Sequence, residues 1–319
     1  MSEGSKRVAI VGAGLVGRAW AITFARAGCA VRLWDPGKGA AEGALAFVGS
    51  VAEDLARNDL LNGRTPDELL AAMTPCADLA DALDGADWVQ ESGPENIEGK
   101  RESFARIDAL APTNAVLASS SSALLPSAIF EAVPGRARGI VAHPINPPYL
   151  VPAVEVVPSQ WTTPEVMDRA VAFLRAAGQV PLRMEKEIAG FIMNRMQGAL
   201  MEEAFRLVAG GYASAEDIDR SIADGLALRW SFMGPFETID LNAPGGVADY
   251  VARYQPMYED MFESMCTRVD WRTVTASAIE PSRRAAVATE ALPERQRWRD
   301  RRLMALVAQK RRADRDIGR

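Results

Sequence analysis

Gly12-Ala13-Gly14-Leu15-Val16-Gly17 decides the fold, because it joins a short apolar run, Arg7–Val11, to an apolar stretch with helical spacing, Leu15–Ala27. In a strand–turn–helix setting each glycine has its own reason. The first permits a tight turn, the second lets backbone approach a pyrophosphate, and the third lets helix and strand pack closely. The N–H groups that open the helix then face the phosphates. Asp35 follows about 20 residues on, after the apolar run Ala30–Trp34, where a carboxylate would accept hydrogen bonds from ribose hydroxyls. The same carboxylate would repel a 2′-phosphate, and Pro36-Gly37-Lys38 after it supplies one cation and no arginine. The cofactor expected is NAD rather than NADP, with Gly12, Gly14, Leu15, Val16, Gly17 and Asp35 as binding residues. A glycine turn that holds no nucleotide is the plainer alternative.

Further strand-like runs fall at Asp87–Ser92, Ala115–Ala118, Gly139–Ala142 and Ala153–Val157, most of them followed by helical stretches or turns. Strands alternating with helices predict an α/β fold with a doubly wound, mainly parallel sheet of Rossmann type. Beyond about Pro181 helical spacing takes over. Phe191, Ile192, Met196, Leu200 and Leu207 fit one face of a long helix from about Ala189. Helices are also expected at Ser214–Ala223, Gly245–Phe262, Trp271–Ala288 and Pro293–Arg312. The chain therefore reads as two domains, residues 1–187 for the dinucleotide and residues 188–319 all helical.

Composition narrows the function classes. The 319 residues are 48% hydrophobic and 24% charged, as in an ordinary globular protein. No apolar run approaches the roughly 20 residues that span a bilayer, so no membrane partner is expected. Met1–Arg7 lacks the layout of a signal peptide. Cys29, Cys76 and Cys266 are scattered, odd in number and without CxxC spacing, which favours reduced thiols and a cytoplasmic location. A net charge of -6 argues against nucleic acid as a partner. The last helix is locally basic, from Arg295 to Arg315, with Trp298, Leu303, Leu306 and Val307 as its apolar face. A solvated helix face explains that charge more simply than a nucleic-acid arm.

The chain holds one histidine, His143, at the end of the run Gly139–Ala142, where parallel sheets place their ligands. An imidazole that titrates near neutrality suits the removal of a proton from an alcohol. Twelve positions later, Glu155 stands amid valines in Ala153-Val154-Glu155-Val156-Val157. A carboxylate there is costly to bury unless paired, and a histidine N–H is the natural partner, which would fix the ring tautomer. A core or turn histidine with no chemical duty is the alternative.

With these segments in hand, the chain resembles the 3-hydroxyacyl-CoA dehydrogenase superfamily. The resemblance rests on the glycine motif, Ser119-Ser120-Ser121-Ser122, His143–Pro148, Glu155 and Gly190-Phe191-Ile192-Met193-Asn194-Arg195. It implies a Rossmann-type domain followed by a helical domain that carries a homodimer interface. It also implies roles. Ser122 would hydrogen-bond the substrate oxygen, His143 would be the general base with Glu155 as its partner, and Asn194 would approach the substrate from the helical domain. Glu95 and Lys100 would lie near the cofactor's nicotinamide half. Plainer readings exist for each: Ser122 as a cap of the helix near Leu124, Asn194 as a surface residue, and Glu95 with Lys100 as a solvated pair at a helix start.

Ser119–Ser127, His143–Tyr149 and Asp224–Trp230 with Gly234-Pro235 are similar to a branch of that family whose substrates are small 3-hydroxy acids. The stretch Gly39–Leu70 carries only Arg57 and Arg64 among several acids, a poor landing surface for a polyanionic carrier such as coenzyme A. A free carboxylate instead needs one guanidinium, and Arg229 is the candidate, with a surface arginine or structural ion pair as the alternative. By resemblance the substrate expected first is L-gulonate, oxidised to 3-dehydro-L-gulonate with NAD. L-carnitine and short-chain 3-hydroxyacyl-CoA are the enzyme alternatives. Trp230, Phe232, Phe236 and Tyr254 could cage carnitine's quaternary ammonium, although aromatics at such spacing are commonly core. A structural NAD-binding protein without catalysis is the alternative outside enzymes, and it would not need Ser122, His143, Glu155 and Asn194 together.

Overall fold

The computed structural model describes residues 5–318. Met1–Gly4, most of the stretch read above against a signal peptide, and Arg319 lie outside the described residues. Among the described residues, eight strands form one sheet: β1 (Arg7–Val11), β2 (Ala30–Trp34), β3 (Met73–Pro75), β4 (Trp88–Glu91), β5 (Val116–Ser119), β6 (Gly139–Pro144), β7 (Ala153–Pro158) and β8 (Val180–Arg183). Their order is β3-β2-β1-β4-β5-β6-β7-β8. Every neighbouring pair is parallel except β6 with β7. The inner strands are apolar without alternation because helices cover both faces of the sheet. β3 and β8 escaped the sequence reading. They are short border strands, partly exposed, so their apolar signal is weak.

The chain runs outward from β1 to β2 and β3, then returns to add β4 on the other side, which puts a topological switch point between β1 and β4. The registers align Trp34, Val11, Glu91, Ser119 and Val141 in one row across the sheet. Asp35, Gly12, Ser92 and Ser120 follow immediately beyond that row, at the carboxyl edge, and His143 lies two residues beyond Val141.

Seven helices of at least twelve residues are found among the described residues: α1 (Leu15–Arg26), α2 (Ala40–Arg57), α3 (Ile97–Leu110), α4 (Pro164–Ala176), α5 (Met193–Ala209), α6 (Gly246–Met265) and α7 (Leu292–Asp316). Two apolar layers sandwich the sheet. One holds Trp20, Phe24, Trp88 and Phe173 in mutual ring contact, and the other centres on Phe104, Phe130, Leu117 and Phe191.

Three helical expectations change, the first being Ser214–Ala223, which is regular over Ala215–Arg220 and widens at Ser221–Leu226. The helix read from Ala189 begins only at Met193, because Gly190 and Phe191 take left-handed backbone angles, φ +79° and +49°. The stretch Trp271–Ala288 is not one helix but Trp271–Val274, a wider coil at Thr275–Ile279, and Glu280–Ala286. Apolar spacing registers which face is buried and is blind to these features.

The chain divides into two compact units, residues 1–193 with 300–308, and residues 194–299 with 309–319. The middle of α7 thus belongs to the first unit, where Met304 is buried in the same core as Val48 and Leu55 and Arg301 Nε donates to Asp54 Oδ2 at 3.0 Å. Arg295, Arg297, Arg299, Arg302, Arg312 and Arg315 are exposed, and so are Trp298 and Leu306 from the expected apolar face.

Candidate active site

The glycine loop has the geometry that a dinucleotide needs. Gly12 has φ +97°, and a Cβ on it would stand 2.8 Å from the carbonyl carbon of Ser92, so only hydrogen fits between β1 and β4. A Cβ on Gly17 would overlap the Gly12 carbonyl oxygen. Gly14 instead faces open space, with nothing within 4 Å of a Cβ built there. Exposed Leu15 and half-buried Val16 begin α1, which has neither a side-chain cap nor an acid in its first turn. Its leading N–H groups are suited to an anion. Asp35 Oδ2 accepts from Ala13 N and Oδ1 from Gly37 N, each at 2.7 Å. Each oxygen keeps a further lone pair for a ribose hydroxyl. These residues fit NAD.

Beside that loop, the four-serine run is wired into the sheet. Ser119 Oγ donates to Glu91 Oε2 at 3.0 Å, and Ser121 N donates to Ser119 Oγ at 3.2 Å. Ser120 Oγ accepts from Trp20 Nε1 and Gln90 Nε2 and bonds Ser92 Oγ. Glu95 Oε1 accepts from Ser121 Oγ at 2.5 Å, Ser122 N at 2.9 Å and Ala123 N at 3.0 Å. Three serines therefore build the loop, and the exposed one, Ser122, is carried by it.

His143 and Glu155 face each other across the antiparallel β6–β7 pair, both buried, with Nδ1 and Oε2 2.6 Å apart. An ionised carboxylate only accepts, so a neutral ring paired with one would carry its hydrogen on Nδ1 and keep a lone pair on Nε2. Glu155 Oε1 accepts from Ile192 N at 2.5 Å and Met193 N at 2.8 Å, so the same carboxylate caps the start of α5. A negative charge is favoured at a helix N-terminus. Phe191, whose left-handed turn presents those two N–H groups, lies against the imidazole with ring centroids 5.6 Å apart.

The sequence patterns of two domains match: "3-hydroxyacyl-CoA dehydrogenase, NAD binding domain" over residues 7–188 and "3-hydroxyacyl-CoA dehydrogenase, C-terminal domain" over residues 190–280. The chain belongs to the 3-hydroxyacyl-CoA dehydrogenase family. It is 39% identical to lambda-crystallin of Oryctolagus cuniculus over 307 residues, 95% of this chain and 96% of that protein. L-carnitine dehydrogenase of Streptomyces griseus is also 39% identical, over 80% of this chain and 75% of its own length. A crystal structure of 5-formyl-3-hydroxy-2-methylpyridine 4-carboxylic acid 5-dehydrogenase shares the fold, with TM-score 0.80 and 24% identity over 95% of this chain and 97% of that one. As a member of this family the protein is an NAD-dependent oxidoreductase acting on 3-hydroxy substrates.

Within this dehydrogenase, the structure brings His143 onto Glu155, the Ser122 backbone onto Glu95, and Ala13 of the glycine loop onto Asp35. Asn194 and Arg229 belong to the second unit. Asn194 is half-buried as the second residue of α5, and Arg229 is exposed in the short helix Ala227–Trp230. Sequence reasoning missed Glu91 and, although it named the serine run, gave Ser119 and Ser121 no part of their own. A glutamate ending an apolar strand, with a lysine nine residues on, was the signal available. No helix among the described residues is long and apolar enough to cross a membrane.

Proposed function

We propose that the protein oxidises the 3-hydroxyl of a small free 3-hydroxy acid with NAD, using His143 as general base. The observation that carries this reading is the buried His143–Glu155 pair at the carboxyl edge of the sheet. Glu155 holds Nδ1–H, which leaves His143 Nε2 to accept the hydroxyl proton. NAD, held by the Gly12–Gly17 loop and Asp35, supplies the acceptor for hydride from the substrate's C3. Ser122 donates a hydrogen bond to the substrate oxygen, Asn194 orients it, and Arg229 binds the carboxylate through two N–H groups.

L-gulonate is the substrate we assign first, on the resemblance carried by Ser119–Ser127, His143–Tyr149 and Asp224–Trp230. The α2 surface supports a free acid over a coenzyme A thioester, since its cations are few and Arg57 is paired with Asp54. L-carnitine is the second reading. It is supported by the similarity to L-carnitine dehydrogenase and by the exposed rings of Trp230, Phe232, Phe236 and Tyr254. A homodimer through the second unit completes the proposal, because that unit leaves large apolar side chains uncovered.

The test is NADH absorbance on adding L-gulonate, L-carnitine or 3-hydroxybutyryl-CoA to enzyme with NAD, and again with NADP. L-gulonate with NAD is expected to react best. Turnover confined to the thioester would end the free-acid reading. Arg229→Met is expected to raise KM about tenfold or more with NAD affinity intact, as loss of a charge-assisted contact should.

A further inference from the structure

We infer that Phe191 is a positioning residue for the proton acceptor, an inference that rests on the general-base reading of His143 above. Among the described residues, three that are not glycine take positive φ: Asp59, Asn62 and Phe191. Aspartate and asparagine tolerate left-handed backbone because their short polar side chains bond locally. A bulky aromatic residue at φ +49° is an outlier, kept only where its surroundings determine it. The surroundings of Phe191 include both members of the His143–Glu155 pair.

Its backbone acts on the carboxylate. Gly190 precedes it at φ +79°, and Phe191 N donates to the Ile188 carbonyl oxygen at 3.0 Å, which closes the turn. The next two N–H groups, of Ile192 and Met193, then converge on Glu155 Oε1. Oε2 is left for His143 Nδ1. A carboxylate gripped at both oxygens is kept from rotating off the imidazole. The side chain acts on the imidazole itself. Its ring is fully buried in the apolar layer that holds Val141 and Val157. Those valines share the faces of β6 and β7 with His143 and Glu155, two residues along each strand. Anchored there, the Phe191 ring lies at 51° to the imidazole with centroids 5.6 Å apart, and so limits its tilt about the bond to Glu155.

Phe191→Leu keeps an apolar side chain but removes the flat ring. With the 3-hydroxy acid that the wild-type enzyme oxidises, kcat is expected to fall about tenfold, while KM and the Kd for NADH stay within about twofold. The deciding arm repeats the change in a His143→Gln background. There Phe191→Leu should lower kcat no further, since no base is left to aim. An unchanged kcat in the wild-type background would overturn the inference. So would an equal loss in both backgrounds, which marks general loosening of the fold. Should Phe191→Leu fail to fold, Gly190→Ala disturbs the same turn without emptying the core. It is expected to lower kcat about tenfold in the wild-type background alone, and an unchanged kcat would again overturn the inference. Failure of the general-base reading shows separately, as a His143→Gln variant that turns over at the wild-type rate.

Discussion

The two units of the chain use apolar residues in opposite ways. In the first, Trp20, Phe24, Trp88, Phe104 and Phe130 are fully buried on the two faces of one sheet. In the second, Thr238, Ala243 and Val274 are the buried residues among those described, while Met196, Leu228, Phe232, Phe236, Met257, Met261 and Phe262 stand exposed. The first unit is a finished core. The second is a set of amphipathic helices that does not bury its own apolar faces. The paired imidazole and the wired serine loop lie in the unit whose packing is complete, where geometry is held most firmly.

The sharpest way to break this contrast is through activity. His143→Gln should lower kcat by about 10² to 10⁴-fold, the range for loss of a general base, while thermal melting moves little. A near-normal rate would remove the first unit's claim to the proton transfer. Next comes packing. Trp88→Ala should cost about 3–5 kcal/mol in urea unfolding, because its ring stacks on Phe173 and touches Phe24 in a closed core. A cost near zero would mean that the first unit is as loosely packed as the second.

The second unit is probed by assembly. Met257→Lys with Met261→Lys, one turn apart on α6, should leave the first unit's folding intact and shift light-scattering mass from dimer to monomer. A protein that is monomeric before the change would show that these faces need another cover. The smallest effect is expected where α7 meets α2. Arg301→Ala should cost less than about 1 kcal/mol, since Arg301 is 69% exposed and its pair with Asp54 is screened. The Arg301 hydrogen bond holds the Asp54 carboxyl below its ordinary value. The stability so contributed is present above the unfolded-state value and fades as pH falls through the lower folded one, so the difference between variant and wild type should vanish in acid.

How much of this was legible in sequence depends on how local the cause is. The glycine loop and Asp35 could be read directly, because their requirements are set by a single turn and the strand after it. A His143–Glu155 contact could be argued too, since a buried acid twelve residues from a lone histidine has few other partners. The caps on α5 were not legible. They require β7 to deliver a carboxylate to a left-handed turn at Phe191, and periodicity carries no trace of either. The network around Lys100 was hidden for a similar reason. Glu91 and Ser119 meet only through the β4–β5 register, and the alternative of a solvated Lys100 does not hold because that side chain is buried against Glu91.

A chain with one imidazole carries its own reporter. With histidine labelled in nitrogen-15, the spectrum of His143 contains a single pair of ring resonances, free of overlap and needing no assignment. Their chemical shifts, together with their couplings to the carbon-bound ring protons, tell which nitrogen bears the hydrogen, so the state of the imidazole can be followed by magnetic resonance through every pH, cofactor and substrate added to the tube.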